Sequence, residues 1–200
     1  MKIISIHVFS LNNPKPIILC SVFEVSFVSM FQRSTLKQFI TFHSRLVMER
    51  ASPEQNLEVT LEKGICYACT NSDKIGATMI CDDEYPKRVA IDLLLKILDQ
   101  FNSFIYEKKY DIKSYVEDTD LKFNYINQVI KEWQNPNEKD NILKLQGALN
   151  EVQTIMKKNL DELLKREENL DALMEKSKDL SATSVTFYKK AKATNRCCNF

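Results

Sequence analysis

The sequence predicts an α+β domain followed by one long coiled-coil helix, and three observations carry that prediction. Short β-rich runs separated by turn residues fill the first part of the chain. Two amphipathic helices interrupt them. Beyond Gln134-Asn135-Pro136 there is no further proline and a single glycine, and a 3-4 apolar spacing takes over.

The elements follow in order. Ile3 to Phe9 and Pro16 to Val22 read as two strands around the turn Asn12-Asn13-Pro14-Lys15-Pro16. Ser34 is placed to cap a helix over 35–50, where Leu36, Phe39, Ile40, His43, Leu46 and Val47 share a face. Runs at 56–60, 64–70 and 77–81 give three more strands, the last two joined through Asn71-Ser72-Asp73-Lys74. Pro86 opens an amphipathic helix through Val89, Leu93, Leu94, Ile97, Leu98 and Phe101, and a further helix is expected over 121–133. The expected architecture is a five-stranded sheet flanked by helices over 1–134, a linker at 135–141, a coiled-coil helix over 142–196 and a tail at 197–200.

The seam of that helix runs Ile142, Leu145, Leu149, Val152, Met156, Asn159, Leu163, Arg166, Leu170, Leu173, Ser177, Leu180, Ser184, Phe187, Ala191 and Thr194. Most of these are apolar, and the positions between them are mostly charged or amide. A lone helix cannot bury such a stripe, so partner helices are implied. Arg166 stands in the middle of it. Five donors inside a helical bundle require acceptors, which carbonyl-bearing side chains of partner helices would supply.

Several function classes fall away. A net charge of +1 gives no global electrostatic case for nucleic acid. Three glycines, Gly64, Gly76 and Gly147, cannot build a glycine-rich phosphate loop. Two histidines, His7 and His43, leave little for histidine catalysis or a Cys/His zinc site. Cys66 and Cys69 have redox spacing, but in a strand rather than at a helix N-terminus, so buried or surface cysteines are expected there. Cys20 and Cys81 read as small strand hydrophobes. Asp82-Asp83-Glu84 reads as the negative entry to the Pro86 helix rather than a metal site. No catalytic residue, metal or cofactor is expected. No apolar run reaches the ~18 residues of a transmembrane helix, and the six cysteines are expected reduced in the cytosol.

The segment LDELLKREENLDALMEKSKDLSATSVTFYKKAK resembles the SNARE motif of R-SNAREs, with Arg166 at the central ionic layer and Asn159 two layers earlier. FQRSTLKQFITFHSRLVMER and DDEYPKRVA are similar to the longin domain, a profilin-like fold, of the Ykt6 type of R-SNARE. The resemblance covers almost the whole chain. It implies a parallel four-helix bundle with three Q-SNARE helices, zippering that draws two membranes together, and recycling by the SNARE disassembly machinery. It places the protein in the cytosol and on the cytoplasmic face of Golgi, vesicle or endosomal membranes.

Phe42 lies well off the Leu36/Ile40/Val47 face and is expected to be partly exposed. The resemblance gives it a role in an apolar longin surface that receives the folded-back SNARE segment. The ending Arg196-Cys197-Cys198-Asn199-Phe200 reads as a prenylation box, with Cys197 fourth from the end. One such chain binds membranes only marginally, so a second signal is expected from the neighbouring cysteine and from Lys189, Lys190, Lys192 and Arg196. The Ykt6 type carries three residues after its cysteine doublet where this chain has two. Which of Cys197 and Cys198 takes a prenyl and which a palmitoyl group is therefore open, as is geranylgeranylation of both. A second reading is a longin-domain adaptor or tether whose coiled coil only oligomerises. A third, a thiol or acyl-transfer activity, lacks a catalytic base.

Overall fold

The computed structural model describes residues 2–137, 155–164 and 168–197, with side chains as far as 192. They form two compact units. The first is made by Met1–Glu24 with Ser44–Leu163, the second by Val25–His43 with Leu164–Phe200.

In the first unit β1 (Ile3–Ser10) and β2 (Ile17–Phe23) pair as an antiparallel hairpin. β3 (Asn56–Thr60), β4 (Ile65–Thr70) and β5 (Ile75–Cys81) form a second antiparallel run, and β5 pairs with β1. The five strands expected are thus in one sheet, ordered β2-β1-β5-β4-β3. Turn chemistry sets the register. Asn71 Oδ1 accepts the Ile75 N–H at 2.9 Å, while Lys74 sits at φ 59°. Gly64 closes the β3–β4 turn at φ +93°, where an added Cβ would stand 2.3 Å from the Cys81 carbonyl oxygen.

One face of this sheet is sealed by α2 (Lys87–Lys108), entered through Pro86 as expected. Its Val89, Leu93, Leu94, Ile97 and Phe101 meet Ile6, Val8, Leu19, Tyr67 and Met79 of the strands. The helix stops at Lys109, whose left-handed backbone (φ 54°) returns its N–H to the Ile105 and Tyr106 carbonyls. α3 (Tyr125–Glu132) adds Ile126, Val129 and Ile130 to the same core. Gln134 then fixes the exit by exchanging two hydrogen bonds, of 3.0 and 2.9 Å, with the backbone of Ile3.

α1 spans Met30–Glu49. It begins five residues before the expected start, so Ser34 lies inside the helix rather than capping it. The preceding turn accounts for this. Ser29 accepts the Gln32 N–H through its carbonyl at 3.0 Å and donates its hydroxyl to Gln32 Oε1 at 3.0 Å. Further along, Arg45 is buried with a two-pronged hydrogen bond to Asp118 (2.8 and 3.1 Å) and a bond to the Pro16 carbonyl.

The C-terminal part departs from a single continuous helix. Residues 155–159 form a strand, β6 (Ile155–Asn159), followed by α4 (Leu160–Leu163), α5 (Leu170–Lys176) and α6 (Ala182–Cys197). Asn169 caps α5 by accepting the Asp171 N–H at 2.9 Å, and Ser177 ends it in extended backbone. The physical reason is the one that implied partners in the first place. Without three other helices the stripe has no seam to enter, and the segment is covered by the chain's own elements instead. Ile142, Leu145, Leu149, Val152 and Arg166 lie outside the described residues.

Candidate functional site: the folded-back seam segment

In the first unit, β6 extends the sheet to six strands by pairing in parallel with β3, from Asn56 against Ile155 to Thr60 against Asn159. The edge of an antiparallel sheet offers unpaired backbone groups, and β6 takes them up. An ionic contact reinforces the strand. Glu58, buried on β3, is approached by Lys157 of β6 at 3.3 Å and by Lys87 at the start of α2 at 2.9 Å. Burial pushes the Glu58 carboxyl up, but hydrogen bonds and charge from the two lysines outweigh it and hold the group below the usual carboxylate range. Beyond the strand, the Asn159 N–H donates to Glu162 Oε2 at 2.8 Å, and Leu160 and Leu163 are buried.

In the second unit, α5 and α6 fold against each other as a hairpin. Lys192 meets Asp171 at 3.2 Å and Lys189 meets Glu175. The hairpin also contacts the first half of α1. The Ser181 N–H donates to Gln38 Oε1 at 2.8 Å, the Ser184 hydroxyl lies 3.4 Å from that of Thr35, and the rings of Phe39 and Tyr188 stand 5.7 Å apart.

The expected seam residues are therefore divided. Leu163, Leu180 and Ser184 are buried, and Leu170, Leu173 and Ser177 are half-buried. Met156 and Phe187, 44% and 53% exposed, face solvent with Asn159 and Ala191, while Thr194 lies in α6. Met174, outside the seam, is buried instead. The covered face thus coincides with the coiled-coil face only in part.

Phe42 is only 5% exposed, against the partial exposure expected from the helix face alone, with its ring edge-on to His43 at 5.3 Å. The apolar stripe behind that expectation is not the only covered face, because this half of α1 packs with the hairpin through Thr35, Gln38 and Phe39. Glu58, Lys157, Gln38 and the hairpin ion pairs were not singled out from the sequence. Polar and charged residues at strand or helix positions carry no local signal of which distant side chain they will meet.

The cysteines resolve simply. Cys20, Cys66, Cys69 and Cys81 are buried free thiols. Burial raises all four, Cys69 to about 12, so they stay protonated and poorly nucleophilic. Cys197 ends α6 and Cys198 lies outside the described residues. Among the described residues no group of His, Cys, Asp and Glu is placed to hold a metal ion, and no helix is long and apolar enough to cross a membrane.

A longin-type sheet-and-helix domain, carrying a heptad segment that can fold onto its own edge strand and first helix, defines the class: a longin-domain SNARE. Comparison with known proteins agrees. The longin family, described as a regulated-SNARE-like domain, matches residues 24–160, and the synaptobrevin family matches 141–199. The VAMP-like protein YKT61 of Arabidopsis thaliana is 39% identical over 92% of this chain and 90% of its own length. The synaptobrevin homologs YKT6 of Debaryomyces hansenii and ykt6 of Schizosaccharomyces pombe are 36% and 34% identical, each covering 99% of this chain and 98% of their own. The chain belongs to the Ykt6-type R-SNAREs.

Proposed function

We propose that this protein is a fusion R-SNARE whose longin domain holds the SNARE segment closed until three Q-SNARE helices are available. Zippering from residue 142 toward the C-terminus then supplies the work, with Arg166 in the ionic layer, and no covalent chemistry is required. Cys197 and Cys198 carry the prenyl and palmitoyl groups that hold the chain on the cytoplasmic face of Golgi, vesicle or endosomal membranes. The disassembly machinery returns it to the closed form.

The observation that carries the reading is the use of the seam segment itself as strand β6 and the α5–α6 hairpin. Residues 171 and 192 would lie about 30 Å apart in a continuous helix at ~1.5 Å per residue. Every contact of the hairpin must therefore break before a bundle can form, which is the property of an autoinhibited state.

The test mixes the full chain with three Q-SNARE motifs and follows the appearance of an SDS-resistant complex. Phe42→Glu is expected to speed its formation several-fold, and Arg166→Ala to weaken the product. Self-association without co-assembly would replace this reading with the tether. Intact mass of the native protein before and after hydroxylamine decides how many lipids are attached and which bond is a thioester.

A further inference from the structure

Three large apolar side chains stand out to solvent just ahead of and at the start of α1: Phe27 is 54% exposed, Met30 78% and Phe31 97%. One exposed phenylalanine means little, but three such side chains within five residues make a patch that needs an explanation.

The turn presenting them is held firmly. Val25 is buried beneath it, and its carbonyl accepts the Val28 N–H at 3.2 Å. Arg33 reaches back from the helix, its Nε donating to the Val28 carbonyl and its Nη2 to the Ser26 carbonyl, each at 3.0 Å. With the Ser29–Gln32 pair, the guanidinium clamps residues 26–32 into a knuckle that ends in apolar side chains. Charge adds a second observation. No aspartate or glutamate occurs between Glu24 and Glu49, although the chain holds 27 acids in 200 residues. Arg33 and Lys37 lie in that stretch, next to the apolar tip.

Bulky aromatic and thioether side chains on a fixed tip, in a stretch of chain with cations and without carboxylates, match the chemistry of a bilayer interface. We infer that the Phe27–Phe31 knuckle inserts into the headgroup region of an anionic bilayer. The longin part thereby touches the membrane directly, through its own side chains and without a covalent lipid. The inference does not depend on the fusion reading.

The test uses the full chain produced without lipid modification and vesicles of phosphatidylcholine with increasing phosphatidylserine. Co-sedimentation is expected to rise with the phosphatidylserine fraction and to fall with salt. The triple variant Phe27→Ser, Met30→Ser, Phe31→Ser is expected to lose at least tenfold in vesicle affinity while its thermal unfolding stays unchanged. Phe31→Trp should show a blue-shifted emission on vesicles that brominated lipid quenches, whereas Trp133 of the parent should not respond. Equal binding by the triple serine variant overturns the inference, as does a parent that does not bind. So does binding that survives the triple change and disappears when Lys189, Lys190 and Lys192 are neutralised, which would assign the contact to the tail. A concentration-dependent dimer abolished by the triple variant, without vesicle binding, would show that a second copy covers the patch and would likewise overturn it.

Discussion

The side chains between the sheet and α2 are shut away from water on all sides, whereas those of the seam segment are divided between protein and solvent. Leu93, Leu94, Ile97 and Phe101 are fully buried. Leu163 and Leu180 are buried as well, but Met156 and Phe187 of the same stripe are half exposed. The first set is held by apolar packing alone. The second has fewer buried apolar side chains and relies also on a strand edge, a few hydrogen bonds, and surface ion pairs that are worth less and are screened by salt. The domain core and the seam segment are thus built from different interactions.

Substitutions should separate the two. Phe101→Ala removes a ring packed against Phe104 and Phe123 and should cost the first unit about 3–5 kcal/mol, read as a lower urea midpoint. The same change should leave the spacing and chemistry of the seam untouched.

A pH titration comes next in size. His7 is fully buried, and burial first, then the Arg45 charge, lowers its pKa from 6.5 to about 3. The unfolded chain takes up this proton near 6.5 and the folded chain does not. Stability is therefore full above pH 6.5 and falls as pH drops from there toward 3, by up to about 1.4 kcal/mol per pH unit. His7→Gln should flatten that slope in urea titrations repeated across the range.

The β6 contact should respond more weakly. Lys157→Glu places a second carboxylate beside buried Glu58. Because Lys157 itself is mostly exposed, a loss of about 1 kcal/mol is expected, seen as faster amide exchange at 155–159 with the β1–β5 amides unchanged. The Glu58 carboxyl, lowered in the closed form, contributes fully above the ordinary glutamate value and loses that contribution as pH falls through its lowered one. The smallest effect belongs to the hairpin. Lys192→Ala should cost a few tenths of a kcal/mol, detectable as a modest rise in proteolysis between α5 and α6.

The parts legible in the sequence are those whose signal is local. β3 ran over 56–60 as expected, the Asn71 turn closed as expected, and Pro86 opened α2. β6 was hidden because residues 155–159 carry a helical stripe, and only the free edge of β3 overrides it. Phe42 was misplaced because its burial is not set by the Leu36/Ile40/Val47 face of α1 alone. The early start of α1 rests on Ser29, Gln32 and Arg33, polar residues that local periodicity passes over.

The ion pairs of the closed segment have one further property. Leu170 and Leu173 define positions a and d of the heptad, which puts Lys157, Asp171 and Lys192 at b, and Glu175 and Lys189 at f. In a zippered bundle these positions point away from the partners. The charges that fasten the segment here would therefore be spectators of the proposed bundle. Under the proposed function, how tightly the segment is kept and what it pairs with could then be tuned independently, without changes to the seam.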